Sequence, residues 1–275
     1  MKTNLIYASD IDDTLLFPKS VACIPEAELI SVTNSNEKPL ALSLRAFETL
    51  QKISEMATFI PVTSRSIEQY VRINLFKDEI KPRFAIVTNG ATLFVDGVIS
   101  KEYQEYFLAH VGEKAFMYKK IVEQFLAQFP KELVERVRWV DETFCLINVV
   151  SDKNEDQDVL SVAQKCLPQN SDCSLSLQRK KLYILPDYVN KMRAVDYVVE
   201  RYGLTLAVAA GDAVMDDAML KAAHKGIVPA TGELFRVQGK KALENQGLHV
   251  VEGSSPLEIG EKVLKQGYES LVAVV

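Results

Sequence analysis

Short apolar runs of strand-forming residues alternate with helical stretches over much of this 275-residue chain. The predicted strands of this pattern are residues 4–9, 58–63, 84–88, 204–210, 226–229 and 248–251. Helical stretches separate them at 44–53, 215–224 and 232–246, and Ser43 is a favourable N-cap for the first of these. Nearly continuous apolar strands that alternate with helices are typical of a parallel sheet covered by helices on both faces. The sequence therefore predicts an α/β fold with a Rossmann-like parallel sheet core.

The middle of the chain follows a different pattern. Its predicted elements are a helix at 113–129, a strand or hairpin at 137–150 that carries the only tryptophan, Trp139, a helix at 159–166, and a closing hairpin formed by 174–178 and 181–185. This order predicts a compact α+β domain inserted into the parallel-sheet domain. We place the core at 1–91 and 186–275 and the insertion at 92–185.

Composition and charge exclude several classes of function. The chain has 32 Lys and Arg against 37 Asp and Glu, a formal net charge of -5, which disfavours a nucleic-acid partner. Its apolar runs are far shorter than the roughly 20 residues that span a bilayer. At the N-terminus, Asp10 interrupts the chain before an apolar signal region could form. We therefore expect a cytoplasmic protein with no membrane or nucleic-acid partner, either a monomer or a homodimer.

The cysteines give little sign of a disulfide framework. Cys23, Cys145, Cys166 and Cys173 are scattered and form no Cys-x-x-Cys pair. In a chain of this length without a secretion signal, we expect them to be reduced thiols of the core.

Two acidic clusters follow two of the predicted strands. Asp10, Asp12 and Asp13 come directly after the strand at 4–9, and Asp212 and Asp216 follow the strand at 204–210. Ligands of open parallel sheets bind at the carboxyl ends of the strands, where both clusters are expected to lie. Crowded carboxylates repel one another unless a cation is present, and Mg²⁺ prefers such oxygen ligands. The alternatives are a solvated acidic turn for the first cluster and helix N-terminal charges for the second.

Two further segments fit an anion-binding site. Thr63, Ser64 and Arg65 follow the strand at 58–63 and supply a hydroxyl and backbone amides at the start of a helix. Ordinary helix capping by Ser64 or Ser66 is the alternative and is compatible with the anion site, and Arg65 is as compatible with a salt bridge as with a substrate contact. Lys191 begins the helix that leads to the second acidic strand, where it is either a surface charge or a cation that stabilises phosphate.

Taken together and in this order, these segments resemble the motifs of the haloacid dehalogenase superfamily of phosphohydrolases. The matching residues are Asp10-Ile11-Asp12-Asp13-Thr14, Thr63, Lys191 and Gly211-Asp212-x-x-x-Asp216. Thr88-Asn89-Gly90-Ala91 and the segment from Tyr183 to Lys191 resemble the Cof-type and sucrose-phosphatase-like sub-group. One position departs from the Cof-type pattern, because Met215 stands where those members usually carry asparagine.

The resemblance implies a role for each matching residue. Asp10 would be the nucleophile, Asp12 the general acid and base, and Lys191 a catalytic cation. The phosphate would be bound by Thr63, Ser64 and Lys191, with weaker candidates for substrate contact in Arg65, Asn89 and Gly90. Mg²⁺ would be held by Asp10, the backbone carbonyl of Asp12, Asp212 and Asp216. The insertion at 92–185 would be a cap domain that determines substrate specificity.

The function implied is a Mg²⁺-dependent phosphatase that cleaves a small phosphorylated metabolite, in particular a sugar phosphate, through an aspartyl-phosphate. The first alternative is a catalytically inactive binding or regulatory protein on the same fold. The presence of both Asp10 and Asp12 argues against it, because loss of either residue would be the mark of such a protein. The second is a phosphomutase, which the position of the insertion disfavours.

Overall fold

The computed structural model describes residues 3–21, 29–32, 39–150 and 156–274 of the chain. Contacts divide the chain into two compact units, one formed by Met1–Ser100 with Lys191–Val275 and the other by Lys101–Asn190. The corresponding borders predicted from the sequence are at 91/92 and 185/186.

The strands in chain order are β1 (Leu5–Ser9), β2 (Phe17–Pro18), β3 (Leu29–Ser31), β4 (Leu40–Ser43), β5 (Thr58–Pro61), β6 (Phe84–Val87), β7 (Thr92–Val95), β8 (Val98–Ile99), β9 (Val134–Val140), β10 (Phe144–Val149), β11 (Cys173–Gln178), β12 (Lys181–Pro186), β13 (Thr205–Ala210), β14 (Lys225–Pro229) and β15 (His249–Val251). The α-helices are α1 (Leu44–Met56), α2 (Ile67–Val71), α3 (Lys101–Val111), α4 (Lys114–Gln128), α5 (Asp156–Cys166), α6 (Lys191–Tyr202), α7 (Asp217–Ala222), α8 (Glu233–Gln238), α9 (Lys240–Asn245) and α10 (Pro256–Val272).

The first unit is built around a five-stranded sheet in the order β15-β14-β13-β1-β5. Every neighbouring pair in this sheet is parallel, which confirms the predicted parallel core. All five residues of β1 are buried, as expected of a central strand covered on both faces. The carboxyl ends of β1 and β13 therefore lie side by side, with Ser9 opposite Ala210.

Helix α1 begins where its sequence predicts. The Ser43 side chain accepts a hydrogen bond from the backbone N–H of Ala46, so it caps the first turn. Of the apolar residues at helical spacing, Leu50 and Ile53 are buried, Phe47 is partly buried and Leu44 in the first turn is 40% exposed, while Ala46 joins the buried side. The predicted single helix at 232–246 is wrong, because Gly239 adopts a φ of 77° and separates α8 from α9.

The strand predicted at 84–88 pairs differently from the other predicted strands of the core. β6 forms an antiparallel three-stranded sheet with β7 and β8. β6 also meets the segment that follows β5, through one parallel bridge between Val62 and Ile86 and through the hydrogen bond from the N–H of Thr63 to the carbonyl of Ile86. Asp96-Gly97 between the apolar runs of β7 and β8 is typical of a two-residue hairpin turn, and both residues have positive φ, 51° and 78°. The prediction from the sequence missed this hairpin, which pairs with β6 in an antiparallel sheet.

The second unit is an α+β arrangement of its own. Its four strands form an antiparallel sheet in the order β11-β12-β10-β9. Tyr118 links α4 to β12 and β10. Its hydroxyl donates to the carbonyl of Ile184 at 2.6 Å and accepts from the N–H of Cys145 at 2.8 Å. A buried tyrosine hydroxyl needs such partners, so Tyr118 fixes α4 on the centre of the sheet.

Helix α10 packs closely on the central sheet. Gly267 lies so near the ring of Tyr7 that a Cβ at this position would be 2.0 Å from the tyrosine Cε2. Tyr7 is fully buried on β1 and its hydroxyl donates to the carbonyl of Val263. The glycine thus allows a large aromatic ring to lie between helix and sheet.

The structure also bears on the expected lack of membrane-spanning helices and on the expected reduced cysteines. Among the described residues, none of the helices has both the length and the apolar character needed to cross a bilayer. Cys145 and Cys166 are buried free thiols and Cys173 is a partly buried one. Cys23 lies outside the described residues.

Candidate active site

The site begins at the carboxyl end of β1. Asp10 follows the last strand residue, and its backbone N–H donates to the carbonyl of Ala210 on β13 at 2.9 Å. This bond continues the β1–β13 pairing to the first acidic residue. Asp10 is 6% exposed, so its carboxylate is held in an interior environment.

Lys191 joins the two acidic clusters. It is the first residue of α6 and is 1% exposed. Its Nζ lies 2.6 Å from Oδ1 of Asp10 and 2.6 Å from Oδ1 of Asp216. The interpretation of Lys191 as a surface charge is therefore wrong, because burial with two carboxylates places it inside the acidic cluster.

Three carboxylates meet at this point. Asp10, Asp212 and Asp216 are all buried, and one carboxylate oxygen of each lies within 4.8 Å of those of the others. Asp216 is fixed from two sides, since its Oδ2 accepts from the N–H of Ala213 at 2.9 Å while Oδ1 binds Lys191. Gly211 makes room for this side chain, because a Cβ there would be 2.5 Å from Cβ and Cγ of Asp216.

The cluster carries more negative than positive charge. Burial raises the pKa of Asp10 to about 7; Lys191 lowers it in part, and Asp216 raises it again. Burial and the charges of Asp10 and Asp216 also raise the pKa of Asp212 well above its usual value. Burial lowers the pKa of Lys191, but the two carboxylates raise it by more, so this amine stays protonated.

Asp12 lies outside the group of three carboxylates. Arg65 holds it with two hydrogen bonds, from Nε to Oδ2 and from a terminal nitrogen to Oδ1, both at 2.7 Å. Such a bidentate pair fixes both the position and the orientation of a carboxylate. Its side chain keeps 39% of its exposure, so Asp12 remains accessible to solvent and to a ligand. Arg65 was predicted either to form a salt bridge or to contact substrate, and in the structure it forms the salt bridge with Asp12.

Thr63 lies in the loop after β5, and this loop is hydrogen-bonded to β6. Its N–H donates to the carbonyl of Ile86 at 2.8 Å, and its hydroxyl accepts from the N–H of Arg65 at 3.1 Å. Ser64 is partly buried and does not cap α2, whose N-cap is Ser66. Thr63 and Ser64 thus lie at the end of β5, beside the first acidic cluster in the order of the sheet.

The segment at Thr88, Asn89 and Gly90 supports this loop. The N–H of Thr88 donates to the carbonyl of Arg65 at 2.8 Å, and that of Asn89 donates to the carbonyl of Thr63 at 2.9 Å. All three residues have positive φ, 53°, 53° and 98°, which is unfavourable for a β-branched threonine. Asn89 is 2% exposed. The observed contacts of Thr88 and Asn89 are thus to the Thr63–Arg65 backbone.

Glu233 is a member of the site that the sequence analysis missed. It is buried at the start of α8, and its Oε2 accepts from the N–H of Val214 at 3.1 Å. The next residue, Leu234, donates its N–H to the carbonyl of Asp212 at 2.9 Å. The start of α8 therefore supports the loop that carries Asp212 and Val214 through two hydrogen bonds. The only sequence signal for Glu233 is its position after Gly232 at the end of β14, and an acidic residue there is also common at the first turn of any helix.

Comparison with known families gives one match over most of the chain. The model of a family described as S6PP, sucrose-6F-phosphate phosphohydrolase, matches residues 3–250. This range includes both acidic clusters, Thr63 and Lys191. No curated protein matches the chain.

Three solved structures with similar folds are distant in sequence. The sucrose-phosphatase of Synechocystis sp. PCC6803, in complex with sucrose and phosphate, aligns over 98% of this chain and 99% of its own, with a TM-score of 0.56 and 14% identity. The C-terminal domain of the trehalose-6-phosphate phosphatase of C. albicans aligns over 96% and 92%, with a TM-score of 0.56 and 12% identity. The subclass IIB sugar phosphatase BT4131 aligns over 97% and 99%, with a TM-score of 0.53 and 15% identity. At these identities the likeness establishes the fold.

Proposed function

The chain belongs to the sucrose-6F-phosphate phosphohydrolase family of haloacid dehalogenase phosphatases, and we propose that it hydrolyses a sugar phosphate through an aspartyl-phosphate on Asp10, with Mg²⁺ as cofactor. The observation that carries this proposal is the buried group of Asp10, Asp212, Asp216 and Lys191 at the carboxyl ends of β1 and β13. Acidic side chains that serve only as solvated turn residues have no need of a shared, buried lysine.

The residues present fit a Mg²⁺ ion. Three buried carboxylates face one ammonium group, so the cluster has an excess of negative charge when all of them are ionised. Carboxylate oxygens are the ligands that this hard cation prefers. We propose that Asp10, Asp212 and the backbone carbonyl of Asp12 hold it, with Asp216 as a further ligand or as support. When bound, the cation offsets the repulsion between an anionic nucleophile and an anionic phosphate.

We assign Asp10 as the nucleophile because of its place in the cluster. Lys191 binds its Oδ1, so Oδ2 is the oxygen assigned to attack phosphorus. A bond forms between this oxygen and phosphorus, and the bond from phosphorus to the sugar oxygen breaks. Lys191 keeps the attacking carboxylate in place and neutralises charge that develops in the transition state.

Asp12 is suited to move the protons. In the first step it would give a proton to the departing sugar oxygen, which leaves as an alcohol. In the second step it would take a proton from the water that attacks phosphorus, and the bond to Asp10 would break to release phosphate. The bidentate contact with Arg65 holds the Asp12 carboxylate in one orientation during both steps.

Thr63 and Ser64 are proposed to bind the phosphate oxygens. The Thr63 hydroxyl and the backbone amides after it lie at the end of β5, next to β1 in the sheet. The buried segment that includes Thr88 and Asn89 holds the Thr63 backbone, so the loop is in place before the ligand arrives. We further propose that the second unit, Lys101–Asn190, is the cap that determines which sugar is accepted.

The experiment that tests this function is phosphate release from a panel of sugar phosphates that includes sucrose-6-phosphate, with Mg²⁺ and with EDTA. We expect Mg²⁺-dependent turnover that Asp10→Asn abolishes. Asp217→Asn is the matched control, because this neighbouring carboxylate pairs with Lys221 on the surface and lies outside the cluster. Loss of turnover in both variants, or equal turnover with EDTA, would contradict the proposal.

A further inference from the structure

A cavity opens in the first unit, between α2, the helical turn at 75–79 that follows it, and the β6–β7 hairpin. It has a volume of about 730 Å³, and the described residues that line it all lie between Tyr70 and Gly97. Small-molecule sites are clefts of roughly 300–1,000 Å³, so this cavity has the size of a ligand pocket. None of the residues assigned to the candidate active site lines it.

The floor of this cavity is apolar and firmly packed. Tyr70 lies over Phe76 with ring centroids 5.9 Å apart and over Phe94 with centroids 5.5 Å apart. All three rings belong to the hydrophobic core, which also includes Ala85 of β6. Because Tyr70 packs on both other rings and Ala85 adds only a methyl group to the lining, the floor of the cavity is preformed.

The rim of the cavity has the opposite character. Among the described residues that line it, the charged ones are Lys77, Lys81, Arg83 and Asp96; the Arg83 guanidinium lies over the rings of Phe84 and Tyr202 and 4.0 Å from Asp96, so the two lysines are the cations that face the cavity rim. This local excess of positive charge stands out in a chain with a formal net charge of -5. An apolar floor under a basic rim is complementary to a molecule with an apolar body and an acidic group.

We propose that this cavity is a binding site for a small organic acid, which places its apolar body on the Tyr70–Phe94 floor and its anionic group beside Lys77 and Lys81. The proposal does not depend on the phosphatase function, since the two sites share no residue. The same chemistry is found in ring-bearing acids and in alkyl acids, and the test separates them.

The probe is 8-anilinonaphthalene-1-sulfonate, an aromatic anion whose fluorescence rises in an apolar environment. We expect one saturable site on the folded chain. The double variant Lys77→Glu with Lys81→Glu should raise the Kd about tenfold or more, because two favourable charge contacts become repulsive. Both lysines are exposed, and an unchanged thermal midpoint will show that the variant remains folded.

The matched control is Lys114→Glu with Lys119→Glu on α4. It makes the same change in charge at exposed positions, next to the exposed apolar side chains of Phe116 and Met117. If the control weakens probe binding and the rim variant does not, the probe binds on α4 and the proposal is wrong. Equal weakening in both variants would indicate a general charge effect and would also overturn it.

Competition identifies the class of ligand. Carboxylates are used because a phosphate ester can also bind at the Thr63 loop. Displacement of the probe by 1-naphthoate indicates a ring-bearing acid, and displacement by octanoate indicates an alkyl acid. Displacement by neither would overturn the assignment to organic acids. Partly filling the cavity by Val71→Trp, at a lining position that is 51% exposed, should weaken probe binding and leave Mg²⁺-dependent phosphate release unchanged.

Discussion

Replacing Lys191 by methionine is expected to remove much of the stability of the first unit. The change keeps an unbranched side chain of similar length, but it leaves Asp10 and Asp216 buried without the ammonium that both contact at 2.6 Å. Breaking one buried ion pair costs about 3–5 kcal/mol, since the remaining charge stays out of water. At about 2–4 °C for each kcal/mol, the thermal midpoint should fall by roughly 6–20 °C.

The chain contains its own control for this change. Lys221 and Asp217 also pair at 2.6 Å, but their side chains are 41% and 25% exposed. An exposed pair of this kind contributes about 0–1 kcal/mol, so Lys221→Met should move the midpoint by no more than a few degrees. The two variants therefore share the type and length of contact, and they differ in burial and in the number of carboxylates left without an ammonium, two against one.

The assay is thermal unfolding of both variants and the parent protein at pH 8, in EDTA. The double variant Lys191→Met with Asp216→Asn should recover part of the loss, because one of the stranded carboxylates has been neutralised. A Lys191→Met variant as stable as Lys221→Met would refute the reasoning. So would a double variant that is less stable than Lys191→Met alone.

Three further outcomes are expected. The pKa of Asp10 is raised to about 7 in the native state from an ordinary value of 3.8, so the native state binds more protons than the unfolded state between these pH values, and stability without metal should fall as pH rises from about 4 to 7. Addition of Mg²⁺ should therefore raise the thermal midpoint more at pH 8 than at pH 5.5. An equal rise at both pH values would contradict the assigned cluster. Gly267→Ala should lower the midpoint, because the 2.0 Å approach to Tyr7 outweighs the gain of about 1 kcal/mol in helix propensity, and differential scanning calorimetry checks the sign. Arg65→Gln should lower kcat by about 10- to 100-fold by releasing Asp12, and adding Asp12→Asn to this variant should cost less than Asp12→Asn does alone.

Several parts of the fold follow directly from local sequence. The apolar runs that became β1, β5, β13, β14 and β15 predict a buried parallel sheet, and Ser43 predicts the start of α1. These predictions succeed because strand burial and helix capping depend on neighbouring residues. Once the strands are known, parallel order brings their carboxyl ends together. For that reason the sequence also identifies Asp10 and Asp212 as members of one site.

Other features depend on residues that are distant in the chain. The sequence offers no means to tell whether Arg65 reaches Asp12 or a substrate, and the pair is made across 53 residues of sequence. Glu233 is recognised as a support only when Val214 is seen beside it. Asp96-Gly97 signals the turn between β7 and β8, but whether β6 pairs mainly with this hairpin or with the end of β5 depends on tertiary packing.

The sequence by itself therefore determined the class of fold, the edge of the sheet where the acidic residues gather, and the family to which the motifs belong. Only the tertiary structure decided that Lys191 is buried between Asp10 and Asp216, that Gly267 admits the ring of Tyr7, and that a basic-rimmed cavity lies beside α2. The physical reason is that propensity and periodicity act over a few residues. Burial, charge pairing and cavity shape, in contrast, arise from packing between segments that the sequence separates.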